Sequence, residues 1–208
     1  MLFQVYSGAG KSLPIWRGGG VNQKLFLDFA RLAAAGEWVH IFPEAGCFQH
    51  EILGGRYDVG DARETKGRLK WGVGKLIAHA PVRPTVICFY HSGMEHIMPQ
   101  QEFPRTLKTK MPIPGHDVKL KVGEELDFED LISEHEAVHG PLWKYDVLND
   151  LEDDEDFHAK WDSKETDYIL YHKITARIED NLLKLGSDMP HFKGVSNIKQ
   201  LLEAHTSS

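Results

Sequence analysis

An α/β fold, a mainly parallel sheet flanked by helices, is what this sequence predicts. The runs at 38–42 and 85–90 are short and largely apolar, and 85–90 is uncharged with β-branched residues, as buried strands are. Helix-period apolar patterns precede the first run and separate the two. Strand, helix, strand in that order is the signature of a βαβ unit, whose strands run parallel.

Leu25, Phe29 and Leu32 fall at helical spacing after Gly18-Gly19-Gly20, predicting a helix from about 21 to 35 that Gly36 stops. The strand at 38–42 then ends at Pro43 and delivers Glu44 to its carboxyl end, where open α/β sheets place their chemistry. A polar loop from Gly46 to about Arg63 leads to a second helix marked by Leu69, Val73, Leu76, Ile77 and Ala80. Gly72 and Gly74 lie inside that helix. Each costs roughly 1 kcal/mol against alanine, which predicts close backbone packing there. The strand at 85–90 follows, then a half-exposed strand in which Val118, Leu120 and Val122 alternate with lysines. Beyond Gly123 the pattern predicts a short helix near 128–138, an acidic loop, and a long amphipathic helix with Tyr171, Ile174, Ile178, Leu182 and Leu185 on one face. Residues 1–185 read as one domain and 186–208 as a poorly ordered tail.

The length of 208 residues suits one domain with a substantial core. Cys47 and Cys88 have no C-x-x-C spacing, which argues against a redox motif or a zinc ribbon. No run approaches the 18 or so apolar residues of a spanning helix, and Met1 to Tyr6 carries no basic leader. Work on lipid would therefore be done from the interface. A formal charge of −7 argues against nucleic acid. The charge is uneven: Arg63, Lys66, Arg68, Lys70, Lys75 and Arg83 form one basic stretch, Arg105, Lys108 and Lys110 a second, and acid gathers at 152–156. Each stretch fits a solvated face, and the basic ones also fit a membrane-facing side.

Four features carry candidate chemistry. Pro14-x-x-Arg17-Gly18 offers a guanidinium beside glycines, which can grip a phosphate, although an arginine in such a turn is also simply solvated. Glu44 can order a substrate hydroxyl, or be an ordinary strand-end glutamate. His91, in His91-Ser92-Gly93-Met94, can donate to a phosphate or an acyl carbonyl, or be satisfied by loop carbonyls. His135-Glu136-Ala137-Val138-His139 has the H-E-x-x-H spacing of zinc peptidases, but Gly140-Pro141 ends the helix at the second histidine. Gly8-Ala9-Gly10-Lys11-Ser12 fails as a phosphate-binding loop because Val5 stands where its first glycine belongs.

In order, the segments Gly10 to Gly18, Trp38 to Glu44, Lys70 to Ile77 and His91 to Met94 resemble those of the mitochondrial phospholipid transacylases, in the glycerolipid acyltransferase family. The likeness runs through residues 3–128, with a weaker match in the last long helix. It implies movement of a fatty acyl chain between phospholipid and lysophospholipid, as in cardiolipin remodelling, with no metal or other cofactor. It also implies peripheral attachment to a mitochondrial membrane, phospholipid and lysophospholipid as partners, and no nucleic acid. By resemblance Arg17 and Gly18 hold phosphate, Glu44 orders the glycerol hydroxyl, and His91 contacts the substrate.

Two departures stand out. Ala45 replaces the glycine that follows the family's Phe-Pro-Glu, with Gly46 one place later. The family's catalytic histidine and aspartate, separated by four residues, are absent, since no histidine from His40 to His205 has an aspartate five positions on. In the family that pair precedes the Pro14 segment. The expectation is an N-terminally incomplete fold, truncated or reduced, with no identifiable catalytic residue and little turnover alone. The alternatives are a lipid-binding remnant and a zinc peptidase through His135, Glu136 and His139.

Overall fold

The structure is a computed structural model and describes residues 15–16, 18–44, 49, 69–101, 106–109, 111–145 and 161–189. In chain order the elements are α1 (Lys24–Ala34), α2 (Gly72–Ala78), β1 (Val86–Ser92), α3 (Met94–Ile97), β2 (Lys119–Leu126), α4 (Glu129–His139) and α5 (Glu165–Gly186). The chain forms two compact units, one from 1–41, 71–84 and 128–174, the other from 42–70, 85–127 and 175–208.

In the first unit α1 buries Phe26, Leu27 and Ala30 against Leu76, Ala80, Tyr145 and Trp161. Burial of side chains the size of Phe26, Leu27 and Leu76 contributes about 1.5–3 kcal/mol each. The rings of Trp143 and Trp161 meet edge to face with centroids 5.5 Å apart. The Tyr145 hydroxyl, buried with that cluster, donates to the Leu76 carbonyl. The glycines of α2 are there for close approach, as predicted. A Cβ on Gly74 would stand 2.7 Å from the Tyr171 carbonyl oxygen, so α2 packs backbone to backbone on α5. In α4, Ile132 and His135 are the buried positions. The helix ends at Gly140, with φ 84°.

The strand expected at 38–42 is not formed. Residues 37–42 have no β-pairing, Trp38 is 97% exposed, and only Ile41 packs against the core. An apolar run of this length reads as a buried strand by composition, but a strand exists only where a neighbour supplies its hydrogen bonds.

In the second unit the sheet among the described residues is two-stranded and antiparallel, correcting the parallel expectation. Phe89 pairs with Val122, His91 with Leu120 and Ser92 with Lys119, and the register slips between Ile87 and Phe89. The neighbour of β1 is the strand that follows it, and the chain returns through α3 and a loop, which permits antiparallel pairing without a crossover. One face carries Cys88 and Tyr90, with Gly123 and Tyr90 packed under Leu185 and Gly186 of α5. The other leaves Ile87, Leu120 and Val122 more than half exposed. Lys121 pairs with Asp188 at 2.7 Å.

The long helix forms as predicted, and Tyr171, Ile174 and Ile178 are buried. No helix among the described residues is long and apolar enough to cross a membrane. The tail expected at 186–208 lies, beyond Met189, outside the described residues.

Candidate functional site

The turn before α1 holds the segment expected, by resemblance, to contact phosphate. Arg17 itself lies outside the described residues; its neighbours Trp16 and Gly18 do not. Gly18 and Gly20 have φ of 85° and 71°, the left-handed region that glycine enters without strain. The Gly19 N–H donates to the Trp16 carbonyl at 3.1 Å. Gln23 spans the turn: its Oε1 accepts the Trp16 N–H at 2.8 Å and its Nε2 donates to the Gly20 carbonyl at 2.7 Å.

Asn22 beside it is held from the interior. Its Oδ1 accepts from Lys75 Nζ at 2.8 Å and from the Ser163 backbone N–H and hydroxyl at 3.2 and 3.0 Å. Lys75 is fully buried and also donates to the Trp161 carbonyl. Burial lowers this ammonium to about 7, against the opposing pull of Asp162 and Asp167. Ser163 Oγ lies 3.1 Å from the Tyr171 hydroxyl, which lies 2.5 Å from His79 Nε2. His79 Nδ1 sits 2.6 Å from the Trp143 carbonyl, so that nitrogen carries the proton and Nε2 accepts from the phenol. Burial lowers His79 to about 4, partly offset by that carbonyl and reinforced by Lys75. No sequence pattern points to this network, because a lysine at the buried position of a short helix looks like any other basic residue.

Glu44 and His91 belong to the second unit, whereas Gly18 belongs to the first. Glu44 is half-buried and follows Pro43, whose carbonyl accepts the Lys70 N–H at 2.8 Å. The substituted Ala45 lies outside the described residues. His91 is exposed on β1, opposite Leu120. Two residues on, Gly93 has φ 100°, donates its N–H to Glu95 Oε2 at 2.9 Å, and packs so tightly on the Asp117 carbonyl that no Cβ fits. The glycine of His-x-Gly-Met is thus a backbone requirement, and it ends β1 just beyond His91.

The zinc-peptidase spacing does not assemble a metal and base. His135 Nε2 faces Asp167 Oδ1 at 3.2 Å, with both side chains buried. Glu136 accepts the Leu142 N–H at 3.0 Å and pairs with Lys144 at 3.5 Å, so it serves the following loop. Among the described residues no three His, Cys, Asp or Glu side chains are placed to hold a metal ion. The His135–Asp167 pair is 32 residues apart and follows no fixed sequence spacing. The other Asp167 oxygen accepts the Lys164 N–H at 2.9 Å and caps the start of α5.

No protein-family model and no solved structure matches the chain. Curated proteins do. The chain is 33% identical over 128 residues to the N-acylphosphatidylethanolamine synthase of Arabidopsis thaliana, covering 62% of this chain and 40% of that protein. It is 36% identical over 123 residues to the tafazzin of Drosophila melanogaster, covering 59% and 28%. It is 30% identical over 189 residues to the protein named taffazin in Dictyostelium discoideum, covering 88% and 55%. The chain therefore spans between 28% and 55% of the length of these relatives. The resemblance carried by the four segments holds: tafazzins are among the relatives of this chain.

Proposed function

We propose, with kinship to the tafazzins as premise, that this chain recognises glycerophospholipids for acyl transfer between phospholipid and lysophospholipid, in cardiolipin remodelling at a mitochondrial membrane to which it attaches peripherally. The observation that supports this best is sequence similarity to three proteins, two of them named as tafazzins and one as an acylated-lipid synthase. Arg17 grips the phosphate bidentately while Gly18 and Gly20 let the backbone come close. Glu44 accepts from the glycerol hydroxyl, and His91 donates to the substrate phosphate or to the ester carbonyl.

Acyl transfer needs a base to take the proton of the attacking group, worth about 10²–10⁴-fold in rate. The 208 residues contain no histidine and aspartate at the family's spacing, so turnover requires that pair from outside these residues. A lipid-binding protein without turnover is the second reading.

Phosphate recognition is tested by calorimetric titration of the 208-residue protein with dihexanoyl phosphatidic acid and with the matching diacylglycerol. The expected result is a clear preference for the phosphate-bearing lipid, lost in Arg17→Gln. Equal affinity for both lipids, or a preference that survives Arg17→Gln, rejects Arg17 as the contact.

A further inference from the structure

We propose that the solvent-facing side of the β1–β2 sheet is the track for the lipid's acyl chain, with His91 at the ester carbonyl and the chain laid along Phe89, Leu120, Val122 and Ile87; this rests on the lipid recognition proposed above. Directly paired residues share a face, so the pairs His91 with Leu120 and Phe89 with Val122 stand on one side of the sheet. A half-exposed sheet normally keeps its apolar residues inward and its charge in solvent. This one does the reverse. Lys121 lies on the α5 side, beside Gly123, and pairs with Asp188, while Leu120 and Val122 are 61% and 60% exposed and Ile87 is 52% exposed. A contiguous apolar surface left in solvent marks a binding surface. Its shape selects the occupant. The strip is two strands wide, with about 5 Å between strand axes, which suits one hydrocarbon chain and is about half the width of a helix. Along β1 it runs from His91 to Ile87, about 13 Å at the strand rise, which an extended chain of about ten carbons spans. Its composition changes in the same sense as an acyl ester: an exposed imidazole able to donate to the carbonyl, then apolar side chains.

Calorimetric titration of the 208-residue protein with hexanoyl, octanoyl, decanoyl and tetradecanoyl lysophosphatidic acid reads the track. Each methylene laid on an open face should tighten binding about twofold, half the free-energy effect of full burial, and the gain should level off beyond the decanoyl chain. The double variant Leu120→Thr/Val122→Thr puts β-branched side chains at two exposed strand positions. It should keep the thermal midpoint and lose most of the chain-length dependence. A second readout needs no variant: a nitroxide at the methyl end of the decanoyl chain should broaden the amide signals of Ile87 and Val122 most. No binding by any member of the series overturns the lipid reading and the track together. A chain-length dependence that is absent or survives in the double variant, or broadening centred elsewhere, overturns the track and leaves lipid recognition standing. A wild-type dimer that the double variant abolishes, with lipid binding unaltered, assigns the face to a second copy of the chain and overturns the track as well.

Discussion

The ammonium of Lys75 lies 3.9 Å from the centroid of the Trp161 ring and 2.5 Å from that residue's carbonyl oxygen. The ring face, the carbonyl and Asn22 Oδ1 take the place of part of its hydration, and Asp162 and Asp167 favour its charged form. The residue thereby joins α2 to the turn before α1 and to the segment before α5. The same burial makes it titrate within the ordinary range of pH.

That titration has a sign. Lys75 falls from 10.5 to about 7 on folding, so between those values the unfolded chain holds a proton that the folded chain has released. Stability therefore rises with pH across that window, by at most about 1.4 kcal/mol per pH unit. His79, lowered from 6.5 to about 4, acts likewise: stability falls as pH drops from 6.5 toward 4. Urea midpoints measured from pH 5 to 10 should show the alkaline rise, and Lys75→Met should flatten it. An equal rise in the variant would place the titrating group elsewhere.

Gly74→Ala should destabilise the protein by about 1–3 kcal/mol through overpacking, because the added methyl meets the Tyr171 backbone rather than a side chain that can move. Thermal unfolding decides it. A neutral result would mean that α2 and α5 are not in backbone contact.

Asp167→Ala should cost about 1–3 kcal/mol, since it leaves a buried imidazole and the Lys164 N–H without their acceptor. Metal content gives a complementary readout. With Glu136 engaged by Leu142 and Lys144, protein purified without added metal should carry no stoichiometric zinc by elemental analysis. One equivalent, lost in His135→Ala or His139→Ala, would revive the peptidase reading.

Membrane attachment should be local and electrostatic. Each cation near the surface contributes about 1 kcal/mol, and exposed charges are screened beyond about 8–10 Å. Binding to cardiolipin-containing vesicles should weaken with salt. Neutralising Lys66, Arg68 and Lys70 together should weaken it further, whereas neutralising Lys160, Lys164 and Lys173 should not, Lys173 being paired with Glu134 at 3.1 Å. Equal losses from the two triple variants would make the attachment generic.

The helices were legible because each has a strong local pattern: Phe26 and Ala30 face inward at helical spacing, and Gly36 stops α1 with φ 82°. Close packing at Gly74 was legible for the same reason, since glycine in a helix interior costs stability unless a neighbour needs the space. Sheet pairing was not legible. Residues 38–42 and 86–92 have similar apolar content, yet only the second finds a partner, and pairing depends on residues some 30 positions away. In the candidate site, the positive φ of Gly18 and Gly93 follows from residue type, whereas the Lys75–Asn22 contact across 53 residues and the His135–Asp167 contact follow from packing alone.

Acyl transfer itself is measured by incubating the 208-residue protein in vesicles with acyl-labelled phosphatidylcholine and lysocardiolipin, with phosphatidylethanolamine as an alternative amine acceptor. Because no histidine in these residues has an aspartate five positions on, label should stay on phosphatidylcholine while the protein still binds the phosphate-bearing lipid. Transfer at the rate of an intact tafazzin would show that the base lies within these 208 residues and contradict the division between recognition and chemistry drawn above.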